Sequence, residues 1–292
     1  ALAFDFRGWG ESAGRPRAFE NPERKTQDIV AASRFLQQQL PEARISGLGI
    51  CASAGYMADA ATRTPILKRV ALVAPWLHDA DIVDQVYGGA EGVAKLISAG
   101  QAAERRYAET GREVTVPAAS RTDNTAVMFN VPYYTEADRG LIPQWENRFN
   151  VASWEGWLRF DAQRVAPRLA QPLLMVHSEA AAIPQGAKLF YAAVTAPKQQ
   201  IWLDSINQLD FYDRDAPVTA ASDAVAAFLT TEAAVLPPAG DAETARVISV
   251  VSSIPLAVDL ARYDLAEAAF APAISIDYTS LWGGEPQPMT PA

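Results

Sequence analysis

The hydrophobic pattern of the first 75 residues alternates between segments typical of strands and segments typical of helices. Apolar alternation and short apolar runs of four to seven residues predict strands, whereas apolar positions three or four residues apart predict helices. The predicted elements are a strand over 1–6, a helix over 21–40, a strand over 44–50, a helix over 52–61 and a strand over 69–74. This order favours an α/β fold with a mostly parallel sheet.

The pattern changes over residues 78–170, which are mostly helical in periodicity and rich in aromatic residues. We interpret this stretch as a helical cap inserted into the α/β unit. The alternation then resumes, with a strand over 172–177, a helix over 185–194, a strand over 200–204 and a helix over 216–230. The first predicted domain therefore covers residues 1–232.

A different unit is predicted near the C-terminus. Residues 233–241 include Pro237, Pro238 and Gly240 and are typical of a linker. Residues 242–292 are predicted to begin a second domain, with a helix from about 242 to 259, a short helix over 264–270 and a strand over 274–279. Because the chain starts inside a predicted strand and stops soon after another, we expect a fragment of a longer protein.

Composition excludes several functional classes. The chain has 292 residues, a net charge of −9, one cysteine and two histidines. A negative chain without clustered Lys and Arg argues against nucleic-acid binding, and no apolar run reaches the roughly 20 residues that cross a bilayer. One cysteine excludes an intrachain disulfide, so we expect a cytoplasmic protein. We expect no metal and no cofactor, since no His/Cys cluster or nucleotide motif is visible.

The segment Gly49-Ile50-Cys51-Ala52-Ser53-Ala54-Gly55 directly follows a predicted strand. It resembles the nucleophile elbow of α/β-hydrolases, a sharp strand-to-helix turn that needs small neighbours. The resemblance puts Cys51 at the nucleophile, as in dienelactone-hydrolase-like members, and the Ala52 N–H in the oxyanion hole. A shifted register would make Ser53 the nucleophile instead. The helix N-terminus is expected to favour a Cys51 thiolate.

Three further segments carry the same resemblance. Residues 4–12 resemble the D-x-R-G-x-G-x-S loop, 176–184 the turn of the triad acid, and 203–213 the turn of the triad histidine. The acid position holds Ala181 and the histidine position holds Gln208. Because Gln cannot change its protonation state, the ordinary triad is absent at two of its three positions. The resemblance also puts the loop that completes the oxyanion hole before Ala1.

Two histidines and one nearby carboxylate are the candidates to replace the missing base and acid of the triad. His78 follows the strand at 69–74, and with Asp79 or Asp81 it is either a replacement base or a cap-hinge histidine. His177 is interpreted as structural. Glu179 lies near the lost acid position and is a weak substitute.

The C-terminal residues 261–270 and 276–285 resemble the opening of SnoaL-like domains, which are α+β cones around an apolar pocket. The resemblance would have Asp277 and Tyr278 face that pocket, but we interpret the two residues as an ordinary strand end. For the whole chain we predict a hydrolase or acyl-transfer enzyme on a small ester, lactone or polyketide-like molecule. Two alternatives stay open, a non-catalytic pocket for a small apolar ligand and a cyclase-type enzyme.

Overall fold

The computed structural model describes residues 1–230 and the backbone of three later strands. Its first part follows the predicted alternation closely. The elements are β1 (Leu2–Ala3), α1 (Pro22–Gln39), β2 (Arg44–Ile50), α2 (Ala52–Arg63) and β3 (Leu67–Val73). Helix α1 begins where the sequence predicts, because the Asn21 side chain accepts a hydrogen bond from the Arg24 N–H at 2.9 Å and Pro22 occupies the first turn.

The cap lies between β3 and the next strand of the central sheet. Its helices are α3 (Ala80–Val86), α4 (Gly89–Thr110) and α5 (Ser153–Arg159). Between α4 and α5 the chain forms β4 (Thr115–Val116), β5 (Ala119–Ser120), β6 (Met128–Phe129), a short 3-10 turn (Pro132–Tyr134) and β7 (Phe149–Asn150). The middle of the cap is thus less helical than its sequence pattern predicts, and it consists of short strand pairs and loops.

After the cap, a 3-10 turn at Ala166–Arg168 leads into the second α/β part. This part contains β8 (Leu173–Ser178), α6 (Pro184–Ala193), β9 (Lys198–Leu203), α7 (Asp210–Asp213) and α8 (Asp215–Thr230). Every residue of β8 is buried, as expected for a strand inside a parallel sheet that is covered on both faces. The later strands are β10 (Val247–Val251), β11 (Ile274–Ile276) and β12 (Gln287–Met289).

The central sheet has six strands in the order β1-β10-β2-β3-β8-β9, and all neighbours are parallel. Strand β10 corrects the predicted helix over 242–259, because a Val-Ile-Ser-Val-Val run has much higher strand than helix propensity. It joins the hydrolase-like sheet, pairing with β1 and β2. Within the predicted SnoaL-like segment, β11 and β12 form an antiparallel pair. Apart from β10, β11 and β12, that segment lies outside the described residues.

The core is divided by the sheet. One face packs α1 and α2 through residues such as Ile29, Tyr56 and Met57. The other face packs α7 and α8 through residues such as Phe211 and Phe228. No helix within residues 1–230 is long and apolar enough to cross a membrane.

Candidate active site

Cys51 occupies the turn between β2 and α2. Its backbone angles are φ 54° and ψ −127°, a conformation that a non-glycine residue adopts only under constraint. The constraint is visible, since the Cys51 N–H donates to the Val73 carbonyl at 3.2 Å and the Cys51 carbonyl accepts from Trp76 N–H at 2.9 Å. The strained turn falls on Cys51, whereas Ser53 lies within the first turn of α2. The geometry therefore favours the Cys51 register of the motif.

The turn is possible because its neighbours are small. A Cβ on Gly49 would lie 2.7 Å from the Ala54 Cα and 2.9 Å from the Ser53 carbonyl oxygen. Strand β2 and helix α2 thus approach each other at a distance that only glycine permits. This close contact holds Cys51 at the carboxyl edge of the sheet, where ligands of α/β folds bind.

Cys51 opens into a cavity of about 300 Å³. Most of its wall is aromatic or aliphatic, and Tyr133 packs edge-on against both Tyr134 and Tyr212 with ring centroids 4.9 and 5.3 Å apart. The lining residues are Ile50, Cys51, Ala52, Ser53, Tyr133, Tyr134, Gly140, Ile142, Trp145 and Tyr212. No Asp, Glu, Lys, Arg or His is among these lining residues, so the wall of the cavity is uncharged and mostly apolar.

Gln208 reaches the site and is held there by three hydrogen bonds. Its Nε2 donates to the Ala74 carbonyl at 2.8 Å and to the Tyr212 hydroxyl at 2.6 Å. Its Oε1 accepts from the Ala182 N–H at 3.1 Å. The position that the resemblance gives to the triad histidine is thus beside Cys51, and both Nε2 protons of Gln208 are engaged by other partners.

Tyr212 is a site residue that the sequence analysis missed. Its hydroxyl hydrogen-bonds the Cys51 thiol and accepts from Gln208. The sequence could have indicated Tyr212 through its spacing, because residues four apart lie on one face of a helical turn and Tyr212 follows Gln208 by four. In the structure the two side chains are hydrogen-bonded. Burial raises the pKa of the Tyr212 phenol well above its ordinary value, so the hydroxyl stays protonated.

The expected thiolate at Cys51 is corrected by the structure. Burial raises the pKa of the Cys51 thiol, and this effect exceeds the lowering by the Tyr212 hydroxyl, the Ala52 N–H and the nearby Gln208 amide. The helix N-terminus does supply a donor, the Ala52 N–H, next to the sulfur. The apolar surroundings nevertheless keep the resting thiol neutral.

The turn of the triad acid approaches Gln208 through its backbone only. Ala181 is buried and packs in the apolar cluster around Tyr212. Glu179 points away from the site, because it pairs with Lys188 at 2.6 Å and accepts from the Trp202 indole at 3.2 Å. The Ala182 N–H therefore stands where a carboxylate orients a histidine in a triad.

His78 has the geometry of a cap-hinge residue. Its Nδ1 accepts from the Trp76 indole at 2.9 Å, so its Nε2–H donates to the Trp157 carbonyl in the cap at 3.0 Å. The ring is 1% exposed, and burial lowers its pKa. Both nitrogens are engaged, which leaves none to accept a proton from Cys51. Asp79 caps α3 by accepting from the Ile82 N–H at 3.0 Å.

His177 is structural, as the sequence analysis interprets it. The ring is fully buried in β8 and packs edge-on against Trp202 with centroids 5.2 Å apart. Burial lowers the pKa of this imidazole to about 4. Across the part of the chain that the structure describes, no group of three or more His, Cys, Asp or Glu side chains could hold a metal ion.

Comparison with known proteins gives two relatives by sequence. The uncharacterized protein YcjY of Escherichia coli K12 is 26% identical over 244 residues, which cover 78% of this chain and 77% of YcjY. The uncharacterized protein PA2218 of Pseudomonas aeruginosa PAO1 is 27% identical over 227 residues, which cover 73% of this chain and 60% of PA2218. No family model matches the chain.

Solved structures extend the comparison to the fold. DcsB, in complex with its substrate analogue, has a TM-score of 0.64 at 17% identity and covers 76% of this chain and 77% of its own. The crystal structure of PA2218 has a TM-score of 0.61 at 22% identity, with 75% and 71% covered. The α/β hydrolase GrgF from Penicillium has a TM-score of 0.59 at 18% identity, with 76% of each chain covered. Together with the sheet order and the elbow at Cys51, these neighbours show that the chain has the α/β-hydrolase fold.

Proposed function

We propose that this protein transfers an acyl group from a small, uncharged ester- or lactone-like compound to Cys51. The observation that carries the proposal is the position of the thiol. It lies on a strained elbow at the wall of an apolar cavity, with the Ala52 N–H beside it. A strained strand-to-helix turn that presents a nucleophile to a pocket supports covalent catalysis.

In the proposed step, the Cys51 sulfur attacks the acyl carbon. A carbon–sulfur bond forms, the bond from the acyl carbon to the leaving oxygen breaks, and the thiol proton passes to the leaving group or to solvent. The Ala52 N–H lies beside the sulfur, and we expect it to stabilise the oxyanion that develops on the carbonyl oxygen. The step needs no cofactor.

The second half of the reaction is expected to be slow. Hydrolysis of the thioester requires a base that activates water, and neither histidine is among the groups that interact with Cys51. Gln208 occupies the base position and cannot accept a proton at neutral pH. We therefore expect the acylated protein to accumulate unless an acceptor other than water enters the cavity.

A non-catalytic pocket is the alternative function, and the protonated, buried thiol favours it. The dienelactone-hydrolase likeness of the elbow belongs to the acyl-transfer proposal, since it concerns the use of cysteine as nucleophile. A dienelactone-type carboxylate substrate is less suitable, because no lysine or arginine is among the residues that line the cavity.

Release of 4-nitrophenol from 4-nitrophenyl butyrate tests the proposal. We expect a burst of about one equivalent followed by slow turnover, with a burst rate that rises between pH 7 and 9 because burial raises the pKa of the thiol. Cys51→Ala removes the burst, whereas Ser53→Ala retains it.

A second arm separates a missing base from a missing nucleophile. Gln208→His combined with Ala181→Asp supplies an imidazole and a carboxylate to orient it, and should increase steady turnover by about 100-fold. If the wild-type protein shows no burst and butyrate esters only bind reversibly, the non-catalytic pocket is the correct function.

A further inference from the structure

The groups that hydrogen-bond the Cys51 sulfur are all donors. They are the Tyr212 hydroxyl and the backbone N–H of Ala52. Both protons of the Gln208 Nε2 go instead to the Ala74 carbonyl and the Tyr212 oxygen. A triad histidine does the reverse, since its free nitrogen accepts the nucleophile's proton. The direction of hydrogen bonding at the Cys51 sulfur is therefore opposite to that at the nucleophile of a triad.

The orientation of Gln208 fixes the direction of the Tyr212 proton. The Ala74 carbonyl can only accept, so it faces Nε2, and the Ala182 N–H can only donate, so it faces Oε1. The second proton of Nε2 goes to the Tyr212 oxygen at 2.6 Å. A phenol that accepts this hydrogen bond keeps its own proton for the sulfur.

We propose that Tyr212 is the hydrogen-bond donor that stabilises the anionic form of the Cys51 sulfur. The chain of donors runs from the Ala182 N–H through Gln208 and Tyr212 to Cys51. It cannot remove the thiol proton, which leaves to solvent, but it stabilises the charge that remains. The proposal rests on the proposed function only in taking acyl transfer as the reaction that this thiolate performs.

The titration of Cys51 can be followed separately from that of its neighbours. The titratable groups that interact with the sulfur are the phenols of Tyr56, Tyr87, Tyr134 and Tyr212 and the carboxylate of Glu20. Burial raises the pKa of all four phenols, that of Tyr87 to about 12, so they stay neutral below pH 9. Glu20 is paired with Lys25 at 2.7 Å.

Alkylation of the single cysteine by iodoacetamide, measured between pH 6 and 10 on the full chain, tests the proposal. The reaction forms a carbon–sulfur bond and releases iodide, and its rate follows the thiolate fraction. Tyr212→Phe should shift the pH profile upward and slow alkylation roughly tenfold at pH 8. This value allows for loss of a hydrogen bond to a charged group and for the partly compensating nucleophilicity of a more basic thiolate.

Two further variants make the result specific. Tyr87→Phe removes another buried hydroxyl that interacts with Cys51 but does not hydrogen-bond it, and its alkylation rate should stay within about twofold of wild type. Gln208→Glu replaces a donor by an acceptor that turns the Tyr212 proton away from the sulfur, and it should slow alkylation even if Tyr212→Phe fails to fold.

The proposal is overturned if Tyr212→Phe alkylates as fast as wild type with the same pH profile, or if Tyr87→Phe slows the reaction equally. It is also overturned if Gln208→Glu speeds alkylation, since that would make position 208 a base. These outcomes are independent of acyl transfer, because alkylation needs no ester. Failure of the ester burst with the expected alkylation pattern would reject the proposed function alone.

Discussion

At Cys51, burial and hydrogen bonding act on the thiol in opposite directions. The apolar wall of the cavity raises the pKa of the thiol, and the nearby polar groups of Tyr212, Ala52 and Gln208 partly offset this effect. The net effect is a raised pKa, so the resting thiol is neutral, and the donors reduce the cost of ionising it. We therefore expect the reactivity of Cys51 to rise with pH, in spite of its position at the N-terminus of α2.

Gln208 was predictable as the residue at the histidine position, but its partners were not. The sequence resemblance gives the order of the three turns, and the structure brings Cys51 and Gln208 together as that order implies. The role of Tyr212 depends on which amide atom of Gln208 faces which backbone group. Such orientation follows from three-dimensional contacts to Ala74 and Ala182 and not from local pattern.

The buried His177 gives a prediction for how the stability of the protein depends on pH. Its pKa is lowered from 6.5 to about 4 by burial, so between these values the unfolded chain binds more protons than the folded one. Stability should therefore fall as the pH decreases from about 6.5 to 4, by at most about 3 kcal/mol from this residue. Urea unfolding of wild type and His177→Phe at several pH values measures the effect.

The His177→Phe variant keeps an aromatic ring against Trp202 and removes the titrating group. Its stability should fall less than that of wild type over the same pH range. Parallel stability curves for the two proteins would contradict the assignment of this acid sensitivity to His177, and would shift it to other groups such as His78, whose pKa burial also lowers.

At the level of elements, β2 and α2 were the most predictable part of the molecule. The predicted strand over 44–50 matches Arg44–Ile50, and the predicted helix over 52–61 extends to Arg63. A continuous apolar run followed by a helix of small residues is a sequence pattern that few other secondary structures fit. The Val247–Val251 strand was not predicted, because its pairing with β1 and β2 is remote in sequence and helical periodicity was given more weight than its β-branched residues.

The contact between β2 and α2 gives a prediction at this scale. A Cβ at Gly49 would lie within 2.9 Å of backbone atoms of Ser53 and Ala54, which cannot move without displacing the elbow. Gly49→Ala should therefore destabilise the protein by about 1–3 kcal/mol. The change in unfolding free energy can be measured by urea denaturation.

Gly156 in helix α5 is the matched control. An added Cβ there meets its nearest atom at 3.5 Å, which is ordinary contact, and alanine is the better helix former. Gly156→Ala should leave stability unchanged or raise it slightly. Equal stability of Gly49→Ala and wild type would mean that the close approach of strand and helix is not required for the elbow.

At the scale of the whole molecule, the cap and the sheet together make the cavity. The sheet side contributes Cys51 and its neighbours, whereas Tyr133, Tyr134 and Trp145 come from the cap. Arg139 of the cap pairs with Asp213 of α7 through two hydrogen bonds, which fixes the aromatic wall over the elbow. The cap could be located from its aromatic content, but its irregular middle part, with short strand pairs, could not be derived from periodicity.

This arrangement places an aromatic, uncharged wall opposite the Cys51 thiol, which is the nucleophile of the proposed acyl transfer. The same arrangement serves the proposed acyl transfer and its alternative, a non-catalytic binding pocket. The proposed function and its alternative differ in whether a covalent bond forms at Cys51. The decisive observation is a chemical one on the intact chain.

Mass spectrometry of the intact protein after incubation with 4-nitrophenyl butyrate at pH 8 tests this most directly. We predict an added mass of one butyryl group on the peptide that contains Cys51. The acylated protein should accumulate because its thioester is hydrolysed slowly, and it should be absent from Cys51→Ala. A protein that keeps its unmodified mass, while an uncharged phenyl ester still protects Cys51 from iodoacetamide, would contradict acyl transfer and establish reversible binding in its place.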